Sequence, residues 1–342
     1  MDKQARVELT SWSRFDTPNL EIAPALLGQS HVFTFDGHRI EISLPSADRL
    51  AGFKDAGDDP LVDRRISVVG WRKQDGWRQP QEIAVHDVGV ICNIRGRTSI
   101  PEEARTTPIT HEHFSEEQKK HLDKLATDYG DLAYRAFDLW IRTLRWKADS
   151  YRIGTPEVSG VKATGWQSEI REKDSPNRFW KSGQYITLFV GKPVTGEVWN
   201  KVSEALNAEE SPPIFYDLLY SAMARLERGD LRLTIIDAAV AAETFMRTAV
   251  QASLSAGLDA SLEGYSKDTS IRQIVNKFFP KCLYTEQEDI YKKTIMSKLH
   301  KLFDDRNSIM HQGQKEGLTE SRCQKIISSV RELMALEPRK AA

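Results

Sequence analysis

The sequence predicts an α+β protein, in which a mixed α/β domain with antiparallel strands precedes an all-α helical domain. All eight tryptophans lie before residue 200, which indicates two parts of different construction. Between these parts, residues 207–213 form a polar stretch that ends in paired prolines, and prolines cannot continue a helix. The length of 342 residues suits two domains. We therefore expect one domain at residues 1–207 and a second at residues 213–338.

Composition excludes several classes of protein. Hydrophobic residues make up 40% and charged residues 28% of the chain, as is typical of soluble globular proteins. No apolar run is long enough to span a membrane, and the N-terminus lacks the basic and apolar segments of a secretory signal. Three widely spaced cysteines fit the reducing cytoplasm. A net charge of −1 rules out coating nucleic acid by bulk charge, so any RNA contact requires a local groove.

The first domain begins with a predicted β-hairpin. Residues 31–35 and 38–44 alternate in polarity, and Asp36-Gly37 between them supplies the positive φ angles of a tight turn. A long amphipathic helix is predicted from its N-cap, Ser115, to about Ala148. We expect residues 149–182 to be mostly irregular, and further strands at 65–71, 82–94 and 184–190.

The second domain is predicted to be almost entirely helical. Helix ends are indicated by Gly229 after the first helix, Asp230 as the cap of the second and Pro280 after a short third. Thr285 with Glu288 is typical of a capping box that opens a fourth helix. Thr319 is the expected cap of the last. The predicted helices cover 213–227, 230–256, 271–279, 285–310 and a final segment after 319.

The most informative motif lies at the end of the fourth helix. Arg306, Asn307 and His311 come within one and a half helical turns, around the apolar pair Ile309 and Met310. Arginine neutralises phosphate, and histidine transfers protons near neutral pH. The spacing alone is not specific, and the surrounding helices carry much of the argument. No Gly-rich phosphate loop, nucleophile elbow or Cys–His metal spacing occurs, so we predict no cofactor and no metal.

The last third of the chain resembles the HEPN domain (higher eukaryotes and prokaryotes nucleotide-binding), nearest its abortive-infection or Apea-like members. Two segments carry the resemblance. The first is a pair of small-residue helices joined by a Gly-Asp turn, residues 216–243, with Glu243 inside an Ala-rich face. The second, residues 302–313, matches the family pattern of Arg, a polar residue, three variable positions and His. In the first 210 residues we identify no such resemblance.

Membership of this family implies a helical bundle that is usually a homodimer, with the motifs of two subunits meeting in one cleft. Many members are metal-independent endoribonucleases that serve as toxins, antiviral effectors or RNA-processing enzymes. By matching position, the resemblance implies that Arg306 contacts the scissile phosphate and that His311 is the general base or acid. It also implies that Asn307 orients Arg306 or His311 and that Glu243 supports the site.

The residues themselves add a geometric argument. On a regular helix five positions rotate by about 500°, so Arg306 and His311 point about 140° apart. Asn307 and His311, four positions apart, share a face. Arg306 and His311 therefore converge on one phosphate only if the helix frays near Gly313 or a second subunit contributes. This gives an independent reason to expect a dimer.

The same residues can also have purely structural roles. Arg306 can instead pair with Asp304 or Asp305, and Glu243 can serve only to pair with a basic group inside the bundle. Histidine 311 can act as a partner of the helix dipole. Lysines on the fourth helix form either an RNA-facing strip or a solvated face. These lysines are Lys292, Lys293, Lys298 and Lys301.

Two features of the first domain also allow a functional interpretation. His111-Glu112-His113 suggests a metal, but two histidines without a third ligand are more typical of a polar loop. Trp166 and Trp180 stand among basic residues and could stack on bases, although most tryptophans belong in the core. The neighbouring basic residues are Arg171, Lys173, Arg178 and Lys181.

The leading hypothesis is a cytoplasmic HEPN-type endoribonuclease in antiphage defence or a toxin system. Its substrate would be RNA, with tRNA as one candidate, and its first domain would sense a trigger, restrain the nuclease or recognise substrate. A regulatory partner or phage trigger would act through that domain. The alternative is an inactive HEPN-type module that dimerises or binds a nucleotide or partner, with function set by the first domain. Chemistry within the first domain is a third option, although no constellation there supports it.

Overall fold

The computed structural model describes residues 4–46, 53–54, 66–74, 77–101, 114–155, 164–171, 178–186, 193–312 and 317–339. The chain divides into two compact units, Met1–Ser211 and Pro212–Ala342. This division falls inside the polar stretch at which the sequence predicted a boundary. Strands dominate the first unit and helices the second, so the α+β class is confirmed.

A six-stranded antiparallel sheet forms the centre of the first unit. Its longest strand, β6, pairs with β1 on one side and with β3, β4 and β5 on the other. The hairpin of β2 and β3 turns at Asp36 and Gly37, which have φ angles of 48° and 72°, as predicted. The strands are β1 (Gln4–Ile22), β2 (Ser30–Phe35), β3 (His38–Ser43), β4 (Phe53–Lys54), β5 (Ile66–Gln74) and β6 (Trp77–Pro101).

Two helices cover one face of this sheet. Helix α1 (Glu116–Ala148) begins at Ser115, whose hydroxyl accepts from the Gln118 backbone while the Gln118 side chain accepts from the Ser115 backbone. The predicted start and end of this helix are thus confirmed. Its apolar stripe packs, with α2 (Gly196–Asn207), on the alternate strand residues that point inward. The buried contacts include Ile40, Ile42, Val90, Cys92, Trp140 and Trp199.

Two parts of the first unit differ from the sequence-based expectation. Strand β1 was not predicted, because its inward positions include Ser11 and Ser13 and so lack a clear apolar alternation. The stretch predicted to be irregular contains a second hairpin, β7 (Thr164–Arg171) with β8 (Arg178–Ile186). The strand expected at 184–190 therefore begins earlier, and residues 187–190 lie outside the described part.

The second unit is a helical bundle around one apolar core. Thr319 caps the last helix through a bond from the Arg322 backbone to its hydroxyl, as predicted. The α-helices are α3 (Ile214–Glu227), α4 (Leu231–Ser255), α5 (Ile271–Gln273), α6 (Thr285–Ile290), α7 (Met296–Gln312) and α8 (Glu320–Met334). No helix in the described ranges is both long and apolar enough to cross a membrane.

Three predicted helix ends differ in detail. Thr285 is the first helical residue rather than the cap, and Tyr284 before it offers no side-chain bond, so there is no capping box. The helix continues through a π-helical turn, Tyr291–Ile295, into α7. Pro280 lies within a final 3-10 turn, Phe279–Cys282, instead of stopping the helix before it. Asp230 occupies the cap position of α4, but its side chain lies near the Arg228 guanidinium at 3.8 Å and caps nothing.

Candidate functional site

The predicted motif occupies the last two turns of α7. Packing fixes this part of the helix, because Leu302, Phe303 and Ile309 are buried in the core of the bundle. Between Ile309 and His311, the Met310 side chain is 59% exposed. Asn307 and His311 are exposed, and Arg306 is half-buried. All three polar side chains of the motif are therefore accessible to a ligand from solvent.

Arg306 leans toward its neighbour in the chain. Its Nη1 donates to the Asn307 Oδ1 at 3.2 Å. The helix remains regular to Gln312, beyond His311. Within one chain, Arg306 and His311 thus keep the separation of about 140° that a regular helix imposes. Asn307 and His311 lie on one face, and Asn307 links that face to the guanidinium.

Asp305 is held by another helix. Its side chain is 2% exposed, and its Oδ2 accepts a hydrogen bond from the Arg322 Nη2 of α8. The Asp304 carbonyl accepts from the Ser308 hydroxyl at 2.9 Å, a bond within the helix. Among the described contacts, neither aspartate pairs with Arg306. The structure therefore gives no support to the interpretation of Arg306 as half of an ion pair with Asp304 or Asp305.

Glu243 takes part in a different arrangement. Its Oε1 accepts from the Arg247 Nε at 2.9 Å and lies 2.8 Å from the Arg247 Nη2. Arg247 also donates to the Lys267 and Thr269 carbonyls, at 3.3 and 3.0 Å. This network fastens the loop before α5 to α4. No contact in the described part of the chain joins Glu243 to the motif, so the geometry favours the structural interpretation of Glu243.

Most of the lysine strip is neutralised. Lys292 lies 2.6 Å from Glu288, Lys293 lies 3.6 Å from Asp289, and Lys298 lies 2.8 Å from Glu332. Lys301 is exposed. Three of the four charges thus have an acidic partner on the surface, which favours a solvated helix face over an RNA-facing strip.

Histidine 300, on the same helix, contrasts with His311. Its Nε2 lies 2.8 Å from the Asn276 Oδ1, and the ring is half-buried. This imidazole is therefore part of the packing between α7 and the preceding helical segment. It provides a matched reference for His311, since both rings belong to one helix.

The described side chains leave several predicted features of the first unit untested. His111-Glu112-His113 and Lys173 lie outside the described residues. Trp166 and Trp180 lie on the paired strands β7 and β8, with Arg171, Arg178 and Lys181. Within the described ranges, no group of three or more His, Cys, Asp and Glu side chains is placed to hold a metal ion.

Sequence reasoning missed two features near the motif. One is the Asp305–Arg322 pair, which joins residues 17 positions apart and has no local signal. The other is a cavity of about 590 Å³ at the turn between α3 and α4, lined by residues 229–233 and Leu318. Because α8 begins just after Leu318 and runs antiparallel to α7, this cavity and the motif belong to the same end of the bundle.

Comparisons with protein-family models, with curated proteins and with solved structures find no match to this chain. The resemblance to HEPN domains therefore stays a prediction from the motif and the helices.

Proposed function

We propose that this protein is a metal-independent endoribonuclease of the HEPN type, acting through Arg306, Asn307 and His311. The observation that carries the proposal is the placement of these three polar side chains at the accessible end of α7. Asp305, the acidic neighbour of Arg306, is engaged by Arg322. The Arg306 guanidinium, whose described bond is to the neutral Asn307 amide, is thereby available to a phosphate.

The proposed reaction is attack of a ribose 2′-hydroxyl on the adjacent phosphorus. A bond forms between the 2′-oxygen and phosphorus while the bond from phosphorus to the 5′-oxygen breaks. A base takes the proton of the 2′-hydroxyl, and an acid gives a proton to the leaving 5′-oxygen. Arg306 stabilises the charge that develops on the phosphorane. The products are a 2′,3′-cyclic phosphate and a 5′-hydroxyl.

A homodimer supplies what one chain lacks. Each motif offers one imidazole, whereas the reaction needs a base and an acid. Because α7 stays regular to Gln312, Arg306 and His311 of one chain diverge rather than converge. Two α7 ends that face each other would place two imidazoles and two guanidinium groups around one linkage. We propose this shared cleft as the active centre.

For the first unit we propose a role in sensing a trigger, restraining the nuclease or recognising RNA. A regulatory partner or phage trigger would act through it. The cytoplasm is the proposed location, supported by three buried free thiols: Cys92, Cys282 and Cys323. Antiphage defence or a toxin system is the proposed setting.

The test is RNA cleavage by the purified chain, with tRNA and mixed cellular RNA as substrates and EDTA present throughout. We expect products ending in 2′,3′-cyclic phosphate. Arg306→Ala and His311→Ala should each lower the rate by about 10²- to 10⁴-fold, the usual effect of losing a general acid or base or a charge-stabilising group. Both variants should keep the circular dichroism spectrum and the oligomeric mass of the wild type.

Two matched controls lie on the same helix. His300→Ala removes an imidazole that is bonded to Asn276, and Lys301→Ala removes an exposed cation one residue later. Both should cut RNA at the wild-type rate. Equal rates for Arg306→Ala, His311→Ala and wild type would reject the assignment of these residues.

A second candidate is a non-enzymatic module that dimerises or binds a nucleotide or partner protein. It is favoured by one observation, the 59% exposure of Met310 in the centre of the motif, since an exposed methionine suits an interface. Intact RNA together with a dimer that Met310→Lys dissociates would support this candidate against the nuclease.

A further inference from the structure

Strand β1 has a long edge that no other strand of the described residues pairs with. Within the described residues β1 pairs only with β6. Near its C-terminal end the other edge is covered, since the Gly154 backbone donates to the Pro18 carbonyl at 2.7 Å and Val194 donates to Glu21 at 2.8 Å. From residue 6 to residue 16, no described backbone hydrogen bond reaches that edge. A strand edge of this length is a template for pairing with another strand.

The side chains of this stretch follow a regular pattern. From residue 6 to residue 16, the even positions are exposed and the odd positions are half-buried. The two exposed residues at each end of this stretch are charged, and their charges alternate in sign. The exposed set is Arg6, Glu8, Thr10, Trp12, Arg14 and Asp16. We propose that this edge pairs with the same edge of a second copy of the chain, antiparallel and centred on Ser11.

Charge complementarity supports this partner. Pairing about Ser11 places Arg6 of one copy opposite Asp16 of the other, and Glu8 opposite Arg14. Two-fold symmetry repeats each contact, so every charged residue of the edge faces an opposite charge. On the half-buried face, Val7 meets Phe15. Opposite charges and apolar groups directly across a strand pair stabilise it, and like charges destabilise it.

Other registers lose this complementarity. Centring the pair on Thr10 places Arg6 opposite Arg14, and centring it on Trp12 places Glu8 opposite Asp16. A shift by an odd number of residues sets exposed positions against half-buried ones. A parallel, in-register pair would place each charge beside its own copy. The Ser11-centred register is thus the one that the charge pattern selects.

The contacts of Arg14 are compatible with this role. Its Nε lies 3.4 Å from Asp87, and its guanidinium lies 5.6 Å from the centre of the Trp12 ring. The Arg14 side chain is still 53% exposed, which leaves the guanidinium able to contact a second carboxylate. This inference concerns the first unit and does not rest on the proposed nuclease.

The experiment measures proximity at the edge itself, so that a dimer formed by the helical bundle does not affect the result. A nitroxide is attached to the full chain through Thr10→Cys, and the three native cysteines are buried. In the proposed pair the two labelled positions are diagonal neighbours, about 7–8 Å apart. Dipolar broadening of the spectrum is expected. Label at Thr34→Cys, exposed on β2, should show none.

Charge reversal then tests the register. Arg6→Asp or Asp16→Arg alone replaces two attractive contacts with two repulsive ones and should weaken association on the order of tenfold. At a protein concentration close to the dissociation constant of the wild-type pair, most of the broadening should therefore be lost. Mixing labelled Arg6→Asp chains with labelled Asp16→Arg chains should restore it, because the reversed charges then face each other. Broadening that survives Arg6→Asp, or fails to return on mixing, would reject the Ser11-centred pair. Absence of broadening at Thr10 would overturn the proposal and leave the edge to a strand of a different protein.

Discussion

The two units use the same kind of side chain in opposite ways. In the first unit, His31 is 2% exposed, and its Nε2 lies 3.0 Å from the Trp199 carbonyl. Its Nδ1 accepts from the Trp140 indole at 2.9 Å, and its ring stacks on Trp199 at 3.7 Å. In the second unit, His311 is exposed at the end of a helix, and no hydrogen bond of its ring is described. The first imidazole is committed to packing, whereas the second is accessible to a substrate.

The surroundings of each histidine decide whether its ring is able to act on a ligand. A histidine with both ring nitrogens engaged stabilises a core, and a histidine next to Arg and Asn at an accessible helix end can act on a ligand. Tryptophan fluorescence distinguishes the two units experimentally, because all eight tryptophans belong to the first. Far-UV circular dichroism reports on the helices of both.

The largest effect on stability is expected at Asp305. Replacing it by alanine removes the buried partner of Arg322 and should lower the free energy of unfolding by about 3 to 5 kcal/mol, as for other broken buried pairs. The loss should appear in denaturant titrations followed by circular dichroism at 222 nm. RNA cleavage should fall as well, because Asp305 holds the turn that carries Arg306.

Tryptophan fluorescence provides the control for Asp305→Ala. The midpoint of the fluorescence transition should stay close to that of the wild type, which would assign the loss to the helical unit. An equal shift of both signals would show that the two units unfold together. The difference between the two units would then not include separate stabilities.

The second prediction concerns pH and the first unit. Burial lowers the pKa of His31 from 6.5 to about 4. Above pH 6.5 the ring is neutral in both the folded and the unfolded chain, and its contribution to stability is complete. As pH falls from 6.5 to 4, His31 becomes protonated in the unfolded chain but stays neutral in the folded chain. The free energy of unfolding should therefore fall by about 3 kcal/mol across this window and level off below it.

Urea titrations followed by tryptophan fluorescence at several pH values measure this slope. His31→Gln loses the ring that stacks on Trp199, so its free energy of unfolding should be lower at neutral pH. Because glutamine does not titrate, the variant should also lack this part of the pH dependence. A slope as steep as that of the wild type would assign the effect to other groups.

Trp140→Phe tests the hydrogen bond without removing the aromatic ring. The variant loses the indole donor, and the buried His31 Nδ1 is left without it. A buried acceptor without a donor lowers the free energy of unfolding by about 1–3 kcal/mol. The loss should be visible at pH 7 in the fluorescence of the remaining tryptophans. A cost near zero would mean that another donor reaches His31.

Local signals predicted much of the fold. The hairpin at Asp36-Gly37, the start of α1 at Ser115 and the cap of α8 at Thr319 depend on residues within a few positions of one another, and the structure has each as expected. Thr285 shows the limit of such signals. A capping box was expected there, but the cap position is Tyr284, and Thr285 is already the first helical residue.

Contacts between distant residues escaped prediction. Strand β1 is defined by pairing with β6, about 80 residues later, and not by its own alternation. The Asp305–Arg322 bond depends on how α7 packs on α8, which the helical pattern does not reveal. The motif residues were placed on the correct helix, but whether Arg306 meets an aspartate or an amide depended on that same packing.

The smallest effect is expected where α7 and α8 meet at the surface. Lys298 bonds to Glu332 at 2.8 Å, with both side chains 45% exposed, and this pair joins the same two helices as Asp305 and Arg322. Solvent screens an exposed pair, so Lys298→Ala should cost no more than about 1 kcal/mol. Raising the salt concentration should abolish even this difference. Denaturant titrations of both variants under one set of conditions compare the two pairs directly. A cost for Lys298→Ala equal to that of Asp305→Ala would show that burial does not govern how strongly these helices are joined.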